Sequence, residues 1–168
     1  MSEPSQEIFT AVPPAEAPPV VEPQLVPIDT PVVEPGGWKY TVPGGLLRTA
    51  RPRQWIKNVL VFAAPGAAGL SLTPEHLAPV VGAFGAWCLV SSGTYLVNDA
   101  MDAEADRLHP RKRLRPVAAG VVSTGTARGI GLGVLALGVA APATWGAPGV
   151  SGLLALYALI TLSYSLWL

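Results

Sequence analysis

The sequence predicts an all-α, multi-pass transmembrane helical bundle of about four spans behind a disordered N-terminal tail, and three observations carry that prediction. Half of the residues are apolar and only 13% are charged, with a mean hydropathy of +0.42, a balance suited to lipid rather than water. Four apolar stretches approach the ~20 residues that cross ~30 Å of hydrocarbon as a helix. The charges cancel overall but are segregated by sign along the chain, so their positions carry the information.

The tail is expected over residues 1–44. Glu3, Glu7, Glu16, Glu22, Asp29 and Glu34 all precede residue 40, where Lys39 is the only base. Runs such as AVPPAEAPPVVEP show neither helical nor alternating periodicity and offer nothing from which to build a core. Their proline content favours extended polyproline segments, as a solvated extension or a partner-docking one. No cationic segment followed by an apolar run opens the chain, so a cleaved secretory signal is not expected. Cys88 is the only cysteine, which excludes an intrachain disulfide framework and a cysteine-based metal site.

The bundle is expected over residues 45–168, with spans near 55–72, 77–98, 129–147 and 149–168. Small residues recur through GIGLGVLALGVAAPA and would let neighbouring helices approach closely, the usual means of association in lipid. Orientation follows from the bases. Arg48, Arg51, Arg53 and Lys57 precede or enter the first stretch, and Arg107, Arg111, Lys112, Arg113 and Arg115 fill the connection between the second and third. Both regions, and with them the N-terminus, are expected on the cytoplasmic side of the cell membrane. The opposite connections contain Glu75 and His76 but no Lys or Arg.

The chemistry is concentrated at the end of the second stretch, in YLVNDAMDAEADRLHPRKRLRP. Asp99, Asp102 and Asp106 follow one another at intervals of three and four and share a helix face. Like charges so arranged repel one another, more strongly near lipid, and a divalent cation would offset that repulsion. Mg2+ suits the pattern because it takes one or two carboxylates and fills its shell with water and phosphate oxygens. Asn98 adds a neutral oxygen or an amide donor. Lys112, Arg113 and Arg115 supply cations for phosphate groups. The simpler reading is that the acids pair with these arginines at a solvated helix end while the bases set topology. His109 has no second His or Cys nearby and is expected to cap a turn or face a phosphate.

A second patch, RTARPRQWIKN, places Arg53, Lys57 and Asn58 near Trp55. It fits an interfacial anchor or a contact to an anionic substrate. Tyr95, one turn before Asp99, fits either a cavity wall or ordinary packing.

The run NDAMDAEAD resembles the first aspartate-rich motif of the UbiA superfamily of intramembrane prenyltransferases. The resemblance implies that Asn98, Asp99, Asp102 and Asp106 bind Mg2+ and the substrate diphosphate. RPRQWIKNVLVFAAP and DRLHPRKRLRPVAAG are more similar to one branch, the decaprenyl-phosphate phosphoribosyltransferases of actinobacterial cell-wall synthesis. That similarity, over residues 46–168, implies transfer of the 5-phosphoribosyl group of phosphoribosyl diphosphate to a polyprenyl phosphate in the arabinose-donor pathway. An aromatic prenyltransferase of the same superfamily, or an inactive membrane fragment, are the alternatives. The implied partners are these two substrates and the membrane, without nucleic acid, and self-association is left open. Superfamily members carry about nine transmembrane helices and a second aspartate-rich motif, so the chain is expected to represent only the N-terminal half.

Overall fold

The computed structural model describes residues 37–69 and 73–167. The expected tail lies outside them up to residue 36. Residues 37–44, assigned to that tail from sequence, instead carry a 3₁₀ turn at Trp38–Tyr40 and the start of helix α1, Val42–Thr49. A 3₁₀ segment Pro52–Phe62 runs into α2, Ala63–Ala67. The long helix α3 is Pro74–Met101 and the short α4 is Ala103–Leu108. A 3₁₀ turn at Lys112–Leu114 leads towards α5, Thr124–Thr144, and α6, Pro148–Trp167. No strand occurs among the described residues.

Among the described residues three helices are long and apolar enough to cross a membrane: α3, α5 and the Pro148–Ser165 part of α6. The chain is thus a helical membrane bundle, with one correction. The stretch expected as a span over 55–72 is not one uninterrupted helix of spanning length. Its residues repeat with the three-residue period of a 3₁₀ helix, in which positions i and i+3 eclipse. Trp55 and Asn58 share one side and bond to α3, through Trp55 Nε1 to Ser92 Oγ at 3.0 Å and Asn58 Nδ2 to Ser91 Oγ at 3.3 Å. Gln54, Lys57 and Leu60 share another side and line a cavity. The segment lies against α3 and uses its polar side chains to do so.

Two glycine contacts bring α3 and α5 together. A Cβ on Gly93 would lie 2.6 Å from the Gly131 carbonyl oxygen and 2.7 Å from the Leu135 nitrogen, and one on Gly138 would lie 2.9 Å from the Ala86 carbonyl oxygen. Backbone thus packs on backbone, as small residues allow in lipid. Ala86, Val90, Leu154 and Ala158 form the core shared by α3 and α6, with Leu135 and Val139 of α5 against it. The outward sides of α5 and α6 expose Leu132, Leu137, Leu153, Leu156, Leu159 and Ile160, as expected of helices that are apolar all round.

A second core holds the Asp99 end of α3. Ala100, Ala103, Val117, Val122 and Ala127 are buried together, with Leu46 of α1 against them. Gly45 lets α1 press on the 116–122 segment, since a Cβ there would meet Val122 Cγ2 at 2.7 Å. This core fixes three separate pieces of chain around one helix end.

Candidate functional site

Asp99 and Asp106 stand two helical turns apart on chain that is bonded almost as one helix. The Asp102 N–H donates to Asn98 O at 2.9 Å, and the Asp106 N–H donates to Asp102 O at 2.8 Å. The seven-residue interval turns both carboxylates to the same side. Their side chains are 3% and 2% exposed, so each needs a cationic or hydrogen-bonding partner.

Both find one in Arg115, whose Nη1 donates to Asp106 Oδ2 at 2.6 Å and lies 3.4 Å from Asp99 Oδ1. Arg51 Nη2 donates to Asp99 Oδ1 at 2.8 Å, and Lys112 Nζ is 3.8 Å from Asp106 Oδ1. The Arg51 guanidinium also rests over the Tyr95 ring, 4.6 Å from its centroid, a cation–π contact.

Local backbone chemistry delivers these arginines. Arg51 closes α1 in the left-handed region, at φ 52° and ψ 58°, and Pro52 then opens the 3₁₀ segment. Arg115 is extended, at φ −65° and ψ 141°, as the residue before Pro116 should be. The preceding turn is held by His109, whose Nδ1 accepts from the Arg111 and Lys112 backbone N–H groups at 3.2 and 3.3 Å. His109 is therefore a capping residue. Arg107 Nε donates to Ala118 O at 3.2 Å, tying α4 to the same loop.

One cavity opens on this ion-pair cluster and another adjoins it across Tyr95. A polar mouth of about 340 Å3 is lined by Arg48, Arg51, Arg111, Arg115 and Asp99. A larger, mainly apolar cavity of about 680 Å3 is lined by Lys57, Asn58, Trp87, Ser91, Tyr95 and Tyr157, among others. Tyr95 belongs to the apolar cavity and carries Arg51 of the polar mouth on its ring. It stands between the two environments.

The expected site residues are brought together unequally. Asp99, Asp106, Arg115 and Lys112 form one cluster, and Tyr95 joins it through Arg51. Lys57 and Asn58 line the apolar cavity instead. Arg53 lines neither, but a separate cavity beside Trp38. Arg113 has a buried Nε without a hydrogen-bond partner. Asp102 caps the end of α3 and makes no ion pair among the described residues. Sequence reasoning left Arg48 and Arg51 out of the binding set. Helical spacing does not single out Arg48 and Arg51, because Arg51 lies beyond α1 in a left-handed turn.

Among the described residues no three His, Cys, Asp or Glu side chains converge as a metal cluster. The three-acid stripe read from sequence is a convergent pair, Asp99 and Asp106, with Asp102 apart. The ion pairs of the simpler reading are present. The donor chemistry also fits Mg2+, which needs only one or two carboxylates when phosphate oxygens complete its shell. Asn98 Oδ1, next in sequence to Asp99, is buried without a hydrogen-bond partner, an oxygen of the kind such an ion takes.

Known proteins supply the family. A Corynebacterium glutamicum protein named decaprenyl-phosphate phosphoribosyltransferase is 48% identical over 97 residues, covering 56% of this chain and 29% of its own length. The protein of that name in Mycolicibacterium smegmatis is 44% identical over 124 residues, covering 71% of this chain and 39% of its own. The one in Mycobacterium tuberculosis is 55% identical over 82 residues, covering 46% of this chain and 27% of its own. The chain thus spans about a third of the length of the curated relatives it matches. The sequence profile of the UbiA prenyltransferase family covers residues 59–168, which include Asp99, Asp106, Arg115 and all three membrane-length helices, and on that match the chain belongs to the UbiA prenyltransferase family.

Proposed function

We propose that this chain forms the part of a membrane phosphoribosyltransferase that binds the donor diphosphate, in a reaction transferring the 5-phosphoribosyl group of phosphoribosyl diphosphate to a polyprenyl phosphate such as decaprenyl phosphate. The observation that carries the reading is the buried pair Asp99 and Asp106, ion-paired to Arg51, Arg115 and Lys112 at a mouth that Arg48 and Arg111 also line, with an apolar cavity next to it across Tyr95. A diphosphate needs dense positive charge, and a polyprenyl chain needs an apolar wall. The names of the relatives supply the phosphoribosyl group and the decaprenyl phosphate; the diphosphate form of the donor and a role in arabinan precursor synthesis of the cell wall belong to the proposal.

Arg48, Arg51, Arg111 and Arg115 would donate to the donor's phosphate oxygens, for which planar guanidinium groups are well matched. Asp99 and Asp106, with the unpartnered Asn98 Oδ1, would hold Mg2+. When bound, the ion supplies charge that stabilises the diphosphate as it leaves. The bond from the ribose anomeric carbon to the diphosphate oxygen breaks, and a bond to the lipid phosphate oxygen forms. That nucleophile is already anionic at neutral pH, so positioning and electrostatics matter more than a general base. Tyr95, Lys57 and Asn58 border the apolar cavity on the side where the acceptor would lie. The basic connections would face the cytoplasm across the cell membrane.

The test is transfer of label from phosphoribosyl diphosphate to polyprenyl phosphate in membranes carrying a full-length relative, with this chain assayed beside it. Product should require Mg2+, and Asn at the position matching Asp99 or Asp106 should reduce turnover at least 100-fold while the protein still inserts. Retained turnover in both variants would sink the assignment. Label transferred from a prenyl diphosphate to an aromatic acceptor would replace it with the aromatic prenyltransferase reading. Product from this chain alone would show that the described residues and their tail suffice.

A further inference from the structure

A third cavity, about 790 Å3 in volume, lies where the Trp38–Tyr40 turn, the second half of α1 and the start of the 3₁₀ segment meet. Lys39, Arg48, Arg51 and Arg53 line it with Trp38 and Tyr40, and among the described residues no acid does. Of the four bases, only Arg51 has a carboxylate partner among the described residues. Among the described residues the cavity thus gathers four bases beside aromatic rings.

Its shape is built into the chain. Thr41 Oγ1 donates to Trp38 O at 2.6 Å and accepts from the Gly44 N–H at 3.3 Å, folding the turn back onto α1. Gly44 makes room for that fold, since a Cβ there would run into the Trp38 carbonyl and lie 2.8 Å from its ring. Trp38 and Tyr40 nevertheless remain 58% and 41% exposed. Its place along the bundle is also set. Arg51 reaches Asp99 near the last turn of α3, a helix long and apolar enough to span, and the end of such a helix is where aromatic and basic side chains meet headgroups.

We propose that this cavity binds the phosphate of an anionic phospholipid headgroup from the surrounding bilayer. Lys39, Arg48 and Arg53 supply the donors, and Trp38 and Tyr40 lie along the glycerol region. The cavity adjoins the Asp99 mouth, with Arg48 and Arg51 lining both, while Lys39, Arg53, Trp38 and Tyr40 line this cavity and not the mouth.

The test uses the whole chain in phosphatidylcholine vesicles doped with brominated phosphatidylglycerol or, at equal mole fraction, brominated phosphatidylcholine. Bromine quenches tryptophan emission on contact, and the Trp38 share is read by difference from Trp38→Phe. Quenching of Trp38 by the anionic lipid should exceed that by the zwitterionic lipid at least twofold. Lys39→Gln with Arg53→Gln should remove the excess, and so should Gly44→Ala, which shifts Trp38 and leaves every charge in place. Unchanged quenching of the other tryptophans by brominated phosphatidylcholine verifies that each variant inserts and folds. Equal quenching of wild-type Trp38 by the two lipids overturns the proposal, as does an excess that survives the double substitution. An excess that persists in 10 mM inorganic phosphate at constant ionic strength supports a lipid occupant. One abolished by that phosphate overturns the lipid assignment in favour of a soluble phosphate.

Discussion

Arg51 donates to the Asp99 carboxylate at 2.8 Å across 48 residues of sequence, joining the end of α1 to the end of α3. Asp99 is buried and Arg51 is about one-third exposed, so the pair is part desolvated and part open to the polar mouth. This geometry has two consequences. The contact fixes α1 against the bundle, and it presents an already positioned guanidinium to whatever anion enters beside Asp99.

A double-mutant cycle measures that contact. Asp99→Asn leaves Arg51 and Arg115 short of a counter-charge, and Arg51→Gln leaves Asp99 with Arg115 alone. The two changes share one interaction, so their stability losses should not add. A coupling of about 1–2 kcal/mol is expected, the range for neighbours in one ion-pair network, from denaturant unfolding in detergent micelles followed by helical circular dichroism. Additivity within ~0.3 kcal/mol would mean that the pair does not hold the fold.

The backbone of Arg51 gives an independent prediction. A non-glycine residue at φ 52° is held there against a local preference of roughly 1–2 kcal/mol. Arg51→Gly and Arg51→Ala both delete the ion pair, but only glycine is relieved of the strain. The glycine variant should therefore be the more stable by about 1 kcal/mol. An alanine variant of equal stability would show that the left-handed turn relaxes once the guanidinium is gone.

Ser92 links two more pieces of the same assembly, accepting from Trp55 Nε1 at 3.0 Å and donating to Ala50 O at 3.2 Å. Ser92→Ala strands an indole N–H and a carbonyl at once. A loss of about 1–3 kcal/mol is expected, with a change in Trp55 emission. Pairing it with Trp55→Phe should recover part of the loss, because the orphaned donor is then removed as well.

The parts of the fold legible in sequence are those set by local pattern. Asp99 and Asp106 share a side because seven residues make two helical turns. The α5–α6 boundary at Gly146, with φ 83°, and Pro148 is ordinary punctuation. The 3₁₀ segment over 52–62 was not legible, because its stability comes from bonds to Ser91 and Ser92 more than 30 residues away and its three-residue period matches neither a helix nor a strand template. The start of α1 was hidden for a related reason. Pro43 and Gly44 look like breakers, yet proline is tolerated in the first helical turn, and Gly44 and Gly45 are the residues that let Trp38 and Val122 approach. The substrate-facing role expected of Arg53 followed from its nearness in sequence to Lys57, but the left-handed turn at Arg51 sends Arg53 to a different cavity.

The proposed orientation is testable by labelling single cysteines in a Cys88→Ala background. Gly146→Cys, in the turn between α5 and α6, should react with a membrane-impermeant maleimide added outside intact cells. Arg111→Cys, in the basic loop, should react only after the membrane is permeabilised. The reverse pattern would place the arginine cluster outside and contradict the positive-inside reading.

Glycines of α3 and α5 allow the contact between these helices to be separated from helix propensity. A Cβ on Gly93 meets the Gly131 carbonyl and the Leu135 nitrogen at 2.6 and 2.7 Å, whereas one on Gly133 meets nothing within 4 Å. Backbone cannot turn aside as a flexible side chain can, so Gly93→Ala must push the helices apart, at about 1–3 kcal/mol. Gly133→Ala adds a methyl to an open side of α5 and should be neutral or stabilising by up to ~1 kcal/mol, because alanine is the better helix former. Thermal unfolding of the two variants in the same detergent decides the matter. If both behave alike, propensity rather than the close approach of Gly93 and Gly131 governs this interface. If only Gly93→Ala unfolds early, that approach holds together the end of the bundle on which Asp99 stands.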